Sequence, residues 1–214
     1  MSKSGKYLFL MIFGMLFVNI SSDYVHLLDD QNEHFLERNG IENTLGHTLL
    51  EYTQTHPVET LLLLNGPGGF TNLRVGTLTI NTLNTLLEHD TGTFIPIASI
   101  TKIDFYSYAY HQGRLPRYGV LYIGQKHNVW LYDFEEKTHK QITLEEIQYS
   151  DDIFLDFVHD QYRPITEGMV YFSMSNNTLY MQYQDKSHAI ELMALRVPLT
   201  MTAAPEYLIQ PTMN

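Results

Sequence analysis

The sequence predicts a mixed α/β protein, and two neighbouring stretches carry most of that prediction. Residues 58–65, VETLLLLN, contain an unbroken apolar run of four leucines, which is typical of a strand covered on both faces of a parallel or mixed sheet. Residues 72–87, NLRVGTLTINTLNTLL, follow a glycine-rich turn and place apolar side chains at helical spacing. With 214 residues, 44% of them apolar, the chain can bury the core of one large domain or of two small ones.

The amino-terminal half contains strand and helix patterns in alternation. Short strands joined by tight turns are predicted at MLFVNIS, YVHLL and EHFLER. The stretch ENTLGHTLLEYTQTH is predicted as a helix, because apolar side chains recur at helical spacing and Pro57 follows. VETLLLLN is then a strand, a helix runs from about Thr71 to Glu88, FIPIAS is a strand, and ITKIDFYSYAYHQG is a helix that ends near Gly113.

After Pro116 the composition shifts toward aromatic residues in alternation with polar ones, which predicts a second lobe of short strands. The predicted strands are GVLYIG, NVWLYDF, KQITL, IFLDFV, MVYFSM and TLYMQY. Helices are predicted at TLEEIQYS and from about Ser187 to Leu195. We therefore divide the chain into an extension (residues 1–14), an amino-terminal α/β lobe with the glycine turn (15–100) and a smaller carboxyl-terminal α/β lobe (101–214).

The first residues have the layout of a secretory signal peptide, since Lys3 and Lys6 precede the apolar run YLFLMIFGMLFV and the polar NISS. The run is too short for a transmembrane helix. In a competing interpretation MLFVNI, from Met15 to Ile20, is the first core strand and the preceding residues are an extension, with Met15 as an alternative start. Periodicity alone does not decide between these interpretations.

The charge balance and composition disfavour several classes of site. The chain has 13 Lys and Arg against 24 Asp and Glu, so it is short of the cations that neutralise the phosphates of a nucleic acid. It has no cysteine, which excludes disulfides and thiolate chemistry. No two histidines are four residues apart, and the pairs Asp29–Asp30 and Asp151–Asp152 are typical of turns. We therefore expect no metal site, no cofactor, no catalytic residue and no strong nucleic-acid binding by this chain alone.

The turn NGPGGFT, from Asn65 to Thr71, is a candidate anion site, because backbone N–H groups at a helix amino terminus stabilise a phosphate. Its candidate residues are Gly66, Gly68, Gly69 and Thr71. The P-loop pattern requires Lys and Ser or Thr after the last glycine, however, whereas this chain has Phe70, Thr71 and Asn72 there. The glycines are equally compatible with a tight strand-to-helix turn capped by Thr71.

The helix after the turn has apolar or small side chains on two sides. One stripe contains Leu73, Gly76, Thr77, Ile80, Leu83 and Leu87. The second contains Val75, Leu78, Thr82 and Leu86. One stripe is enough to dock a helix on its own sheet, so the second predicts burial against another part of this chain or against a helix of a partner.

The stretch GPGGFTNLRVG, from Gly66 to Gly76, resembles the pattern G-P-G-S-F-T-G-L-R-[VI]-G of the bacterial TsaB (YeaZ-like) family and matches nine of its eleven positions. Three further stretches resemble family patterns in the same order: MLFVNISSDYVHLLDD, GHTLLEY around His47, and APEYLIQP near the end. The resemblance covers about residues 15–213. The family is the non-catalytic partner in the complex that makes threonylcarbamoyladenosine at position 37 of tRNA.

The resemblance implies an actin-like ATPase (RNase H-like) fold with two lobes, the second reduced. In active kinases of this architecture the first hairpin supplies an aspartate, whereas this chain has Asn19, which is neither a general base nor a charged metal ligand. The family segment D-A-R-x-G-E-V-Y is eroded to IGQKHNVW here. Both departures favour a subunit without chemistry of its own. The alternatives are a diverged acyl or sugar kinase or a peptidase-like enzyme that uses the glycine turn, and a secreted binding module.

The resemblance also implies a partner in the cytoplasm, the catalytic subunit TsaD. The two helices beside the G-P-G turn pack in this family against equivalent helices of TsaD in a heterodimer. The implied contact residues are His47, Leu49, Leu50, Arg74, Gly76, Thr77 and Ile80. Two alternatives stay open: a larger set of partners that includes the ATPase TsaE, and a homodimer of the isolated chain. No membrane association is expected.

Overall fold

A computed structural model describes residues 14–37, 39–124, 128–148, 150–156 and 168–207, and within these ranges the chain forms thirteen strands and four α-helices. The strands are β1 (Met15–Asn19), β2 (Val25–Leu28), β3 (Glu33–Leu36), β4 (Thr60–Leu64), β5 (Ile97–Ile100), β6 (Tyr118–Tyr122), β7 (Asn128–Asp133), β8 (Thr138–Thr143), β9 (Ile153–Leu155), β10 (Val170–Ser175), β11 (Thr178–Tyr183), β12 (Lys186–Ile190) and β13 (Leu199–Thr200). The helices are α1 (Ile41–Thr55), α2 (Phe70–Thr91), α3 (Lys102–His111) and α4 (Leu192–Leu195). The predicted mixed α/β class is confirmed.

The first sheet has six strands in the order β13-β5-β4-β1-β2-β3. β1 pairs antiparallel with β2 and parallel with β4, and β5 extends the parallel part. Leu61 and Leu63 of β4 face the core beneath α1 and α2, while Leu62 and Leu64 face the core that includes α3 and the later strands. This coverage on both faces is the physical reason for the unbroken apolar run, and it confirms the predicted buried strand.

The amino-terminal core strand is also confirmed. β1 lies between β2 and β4, and all five of its side chains are buried. Loss of a central strand would separate the antiparallel part of the sheet from the parallel part, so the strand that begins at Met15 belongs to the folded protein. The apolar residues before Gly14 lie outside the described ranges. None of the described helices combines the length and the apolar composition needed to cross a membrane.

A second sheet repeats the strand order of the first. β6 pairs antiparallel with β7, β7 pairs antiparallel with β8, and β6 pairs parallel with β9. These relations match those of β1 with β2, β2 with β3, and β1 with β4. A parallel bridge between Leu155 and Met169 places the start of β10 beside β9, as β5 lies beside β4. β10, β11 and β12 then continue as an antiparallel three-stranded sheet.

Two predicted helices in the second half are wrong. The residues from Ser187 to Ile190 belong to β12, which forms a hairpin with β11, and the helix is limited to the four residues of α4. Gln184 has φ 52 in the two-residue turn of this hairpin, so strand pairing outweighs local helix propensity. The stretch TLEEIQYS forms one 3-10 turn, Leu144–Glu146. The other predicted strands and helices are confirmed with small shifts of their ends, except that residue 38 of EHFLER and residues 157–158 of IFLDFV lie outside the described ranges.

His26 of β2 is a buried histidine held in its neutral form. Its ring stacks on Phe35, with 4.4 Å between ring centroids, and meets Phe17 edge-on at 5.9 Å. Its Nε2 lies 2.9 Å from Glu33 Oε1, so a neutral ring with its proton on Nε2 donates to the carboxylate. Burial lowers the pKa of His26 from 6.5 to about 3.

We expect acid to destabilise the protein through His26. The folded pKa lies below the unfolded one, so between these values the unfolded state binds more protons, and stability falls as the pH drops below about 6.5 toward about 3. From about pH 7.5 to about pH 5 this group should remove about 2 kcal/mol of unfolding free energy. Urea unfolding at both pH values measures the fall in unfolding free energy. In His26→Leu this fall should be smaller by about 2 kcal/mol. The same pH dependence in both proteins would show that His26 is not responsible.

Candidate functional site

The glycine turn between β4 and α2 is enclosed by the chain's own backbone. A Cβ on Gly68 would overlap the carbonyl group of Ser21, and a Cβ on Gly66 would overlap the carbonyl oxygen of Glu206. Gly124, which follows β6, is as tightly placed, because its Cβ would lie 2.6 Å from the carbonyl oxygen of Gly68. Glycine is therefore required where these backbone segments meet.

This geometry favours a packing role for two of the four proposed phosphate residues, Gly66 and Gly68, while Gly69 and Thr71 stay a prediction. The predicted cap is wrong: the N-cap of α2 is Gly69, and no side chain caps the helix. The carbonyl oxygens of Ser21 and Glu206, which a Cβ on Gly68 or Gly66 would meet, carry partial negative charge that repels a phosphate. The backbone N–H of Lys102 donates to the carbonyl oxygen of Gly66, which ties the turn to α3.

Beside this turn, the buried Lys102 links strand ends from both sheets. It is the first residue of α3, and its exposure is 0%. Its Nζ donates to the carbonyl oxygens of Ser21 (2.8 Å) and Tyr122 (3.2 Å) and to Asp156 Oδ2 (2.5 Å). Ser21 follows β1, Tyr122 ends β6 and Asp156 follows β9. The two sheets of like topology therefore converge on one ammonium group.

Asp156 is the buried counter-charge of this ammonium group. Its Oδ1 accepts a hydrogen bond from the hydroxyl of Tyr106 at 2.7 Å, and its Oδ2 accepts one from the backbone N–H of Tyr122 at 3.2 Å. Burial lowers the pKa of Lys102, and the neighbouring Asp156 carboxylate opposes that shift. Charges inside a protein persist when they are paired and hydrogen-bonded, and here both partners meet these conditions.

Asn19 stands where active kinases of the implied architecture have an aspartate. Its side chain is hydrogen-bonded to the loop that follows β1. Its Oδ1 accepts hydrogen bonds from the backbone N–H and the hydroxyl of Ser21, at 2.9 and 2.7 Å. The amide has no ionisable group and cannot act as a base. It fixes instead the loop whose Ser21 carbonyl receives Lys102.

The Lys102 cluster can hold the two sheets together, and the side chains of its ion pair are closed off from solvent. The side chains of Lys102 and Asp156 are 0% and 1% exposed, whereas an amine nucleophile or a general base must reach the reacting atoms. Ligands of α/β sheets commonly bind outside the carboxyl ends of the strands, and here that space holds the chain's own side chains. Among the described residues, no three acidic or histidine side chains are placed to hold a metal ion.

Sequence reasoning missed this cluster. The available signal was weak: Lys102 opens a helix that is otherwise rich in apolar and aromatic residues, and Asp156 interrupts the apolar stretch IFLDFV. A charge within a buried segment indicates a partner elsewhere, but it does not indicate which residue that partner is.

The implied partner contacts fall into two groups. Leu49, Gly76, Thr77 and Ile80 are buried within the chain, where they pack α1 and α2 on the first sheet. The Oγ1 of Thr77, for example, donates to the carbonyl oxygen of Leu73 at 2.6 Å. His47, Leu50 and Arg74 are exposed. The exposed three are therefore available to a partner, whereas the buried four fix the positions of the helices.

The second stripe of α2 is largely uncovered by the described residues of this chain. Leu78 is 65% exposed and Leu86 is 50% exposed, while Leu50 on the adjacent α1 is 41% exposed. We call Leu50, Leu78 and Leu86, with His47 and Arg74, the outer face of α1 and α2. Several large apolar side chains exposed on neighbouring helices are typical of an interaction surface.

We expect alanine to act in opposite directions at the two helical glycines. Alanine gains up to about 1 kcal/mol over glycine within a helix. In α1, a Cβ on Gly46 would meet only Thr79 Cγ2 at 3.7 Å, but in α2 a Cβ on Gly76 would lie 2.5 Å from Ile20 Cγ2. Because overpacking a core costs about 1–3 kcal/mol, Gly76→Ala should destabilise the protein while Gly46→Ala stabilises it. Urea unfolding of both variants checks this, and stabilisation by Gly76→Ala would exclude the packing role of Gly76.

Comparisons with known proteins give likenesses among solved structures. No protein-family model matches the chain, and no curated protein matches it. The structure is similar to YeaZ from Pseudomonas aeruginosa, with a TM-score of 0.40 and 15% identity over 72% of this chain and 79% of that one. It is also similar to an uncharacterized protein with similarity to peptidase YEAZ from Pseudomonas aeruginosa, with a TM-score of 0.45 and 16% identity over 92% of this chain and 100% of that one. The solved structures to which this chain is similar thus include YeaZ, the kind of protein that its sequence resembles.

Proposed function

We propose that this chain is a non-catalytic scaffold subunit of the complex that forms threonylcarbamoyladenosine at position 37 of tRNA, and that it acts by binding a TsaD-like catalytic subunit. The observation that carries the proposal is the exposed apolar stripe on α2, the helix that begins within the GPGGFTNLRVG motif. Covering apolar surface contributes about 25 cal/mol per Å2, although the entropy of association offsets part of it. A partner that covers Leu78 and Leu86 would therefore be held by this face.

The internal repeat supports an actin-like (RNase H-like) architecture as part of this proposal. Each of the two sheets starts with three antiparallel strands and continues with a parallel strand beside the first. In the first half α1 connects β3 to β4. In the second half, the described residues between β8 and β9 contain one 3-10 turn in its place. This difference supports a second lobe that is reduced in its helices.

Three features support a subunit without chemistry of its own. The space between the strand ends is occupied by the Lys102–Asp156 pair, Asn19 stands in place of an aspartate, and the glycine turn is enclosed by backbone. In this proposal the TsaD-like subunit supplies the metal and the reaction, and this chain holds that subunit in a competent shape in the cytoplasm.

The proposed contacts lie on the outer face of α1 and α2. They are the exposed members of the implied set, His47, Leu50 and Arg74, together with Leu78 and Leu86. Arg74 is the sole Lys or Arg between Arg38 and Lys102, so an acidic group on the partner would fit beside it. A homodimer of the isolated chain through this same face would compete with the partner.

Co-expression with the TsaD-like subunit of the same organism tests the proposal. We expect the two chains to co-elute in size-exclusion chromatography, and modification of tRNA to require both, with a TsaE-like ATPase added as a third component. Calorimetry of the isolated chain with ATP and Mg2+ is the test of the enzyme alternative. Robust ATP binding and turnover by this chain alone would contradict the scaffold proposal, as would tRNA modification that does not depend on it.

A further inference from the structure

We propose that a cavity beside the β11–β12 hairpin binds the phosphate group of a small phosphate monoester. The cavity has a volume of about 490 Å3 and lies where the residues after α3 meet this hairpin. Its lining includes three side chains that can carry positive charge, Arg114, Lys186 and His188. None of the three belongs to the outer face of α1 and α2, so the proposal does not rest on the scaffold function.

The strand pairing brings two of these side chains onto one face. In β12, Lys186, His188 and Ile190 alternate onto the same side of the sheet, opposite Tyr183, Met181 and Leu179 of β11. Ile190 is buried, His188 is partly buried and Lys186 is exposed. Exposure on this face therefore increases from Ile190, in the hydrophobic core, to Lys186. Both His188 and Lys186 line the cavity.

Arg114 reaches the same place from the end of α3. Its Nη1 donates to the carbonyl oxygen of Ala189 at 2.9 Å, and its guanidinium carbon lies 5.5 Å from the ring centroid of Tyr108. In the described part of the chain β12 is an edge strand. Arg114 is thus fixed beside β12 by a hydrogen bond and by cation–π contact, while its other N–H groups can face the cavity.

The cluster is cationic within a chain of net charge -11. Arg114, Lys186 and His188 take part in none of the ion pairs found between described residues. Burial, followed by the proximity of Arg114 and Lys186, lowers the pKa of His188. Asp151 also lines the cavity, yet it pairs with none of the three. Because the lowered pKa keeps His188 neutral near pH 7, the cations of the cluster are Arg114 and Lys186, and a bound anion would relieve the repulsion between these two.

The donor set suits a phosphate group. A guanidinium and an ammonium group are the side chains that proteins use to bind phosphate, and Gln184 adds an amide to the lining. The volume lies in the range of small-molecule sites, so it accommodates an ester group beside the phosphate. An RNA backbone is disfavoured, since it requires a longer basic track than one cluster in an acidic protein.

Isothermal titration calorimetry of the full chain with inorganic phosphate and with AMP tests this site. We expect saturable binding of one equivalent of each, and binding about tenfold weaker in Lys186→Gln, since one charge-assisted contact is lost. Lys140→Gln is the matched control, because Lys140 is an exposed lysine on β8 and the net charge changes equally. The control should bind as the unmodified chain does. His188→Gln, as a second variant, should also weaken binding.

Three outcomes would overturn the proposal. One is the absence of saturable binding of both probes. Another is equal weakening in Lys186→Gln and Lys140→Gln, which would show general electrostatic attraction. The third is binding of a short RNA oligonucleotide without binding of phosphate or AMP, which would assign the cluster to a nucleic acid. Unfolding temperatures of the variants within a few degrees of the unmodified chain show that the comparison is between folded proteins.

Discussion

Lys102→Met should lower the free energy of unfolding by about 3–5 kcal/mol, because it removes one partner of a buried ion pair. The Asp156 carboxylate would stay in the interior with the Tyr106 hydroxyl and the Tyr122 N–H but without a counter-charge. The carbonyl oxygens of Ser21 and Tyr122 would also lose their shared donor. Urea unfolding at constant pH measures the loss.

The double variant Lys102→Met/Asp156→Leu separates the cost of an unpaired charge from the cost of lost packing. Replacing both charges by apolar groups is often close to neutral, so the double variant should be more stable than Lys102→Met alone. Lys140→Met, at an exposed lysine, should stay within about 0.5 kcal/mol of the unmodified chain. A loss below about 1 kcal/mol in Lys102→Met would show that the pair is not what joins the two sheets.

The fold was predictable wherever a pattern is local. The apolar run of β4 and the helical spacing of α2 are each contained in one stretch of chain, and both elements are confirmed. The pairing of β12 with β11 was missed because the helical appearance of the stretch after Ser187 is also local, whereas the register with β11 is not. The repeat of strand order in two sheets likewise depends on pairings that no single stretch contains.

The candidate site depends almost wholly on contacts between distant residues. Lys102 and Asp156 are separated by 54 positions, and Lys102 and Ser21 by 81. Asn81 shows the same limit: its side chain holds both the N–H and the carbonyl oxygen of Ala203, 122 positions away. The two stripes of α2 were visible from periodicity, but only the structure separates the buried stripe from the exposed one. The sequence therefore predicts a surface for a partner, and tertiary structure decides which side chains form it.

Leu78→Asp should weaken association with a TsaD-like subunit by at least about 100-fold. Leu78 is 65% exposed, so the aspartate stays hydrated in the free chain and folding is little affected. In the proposed complex the same carboxylate would be buried among apolar side chains, and an unpaired buried charge costs several kcal/mol. A change of this size is at least 100-fold in the dissociation constant. Surface plasmon resonance with the immobilised TsaD-like subunit measures it.

Leu199→Asp is the matched control for this measurement, since Leu199 is 60% exposed on β13, an edge strand of the first sheet, and pairs with Ala98, which belongs to the core on the other face of that sheet from α1 and α2. The two variants change charge and apolar surface to a similar extent, but only Leu78 lies on the outer face of α1 and α2. General loss of apolar surface would weaken association equally in both. Loss in Leu199→Asp with normal association in Leu78→Asp would move the interface to the β13 edge. We expect association to be lost only in Leu78→Asp, because the Leu78 side chain is apolar although it is not buried in the chain's own core.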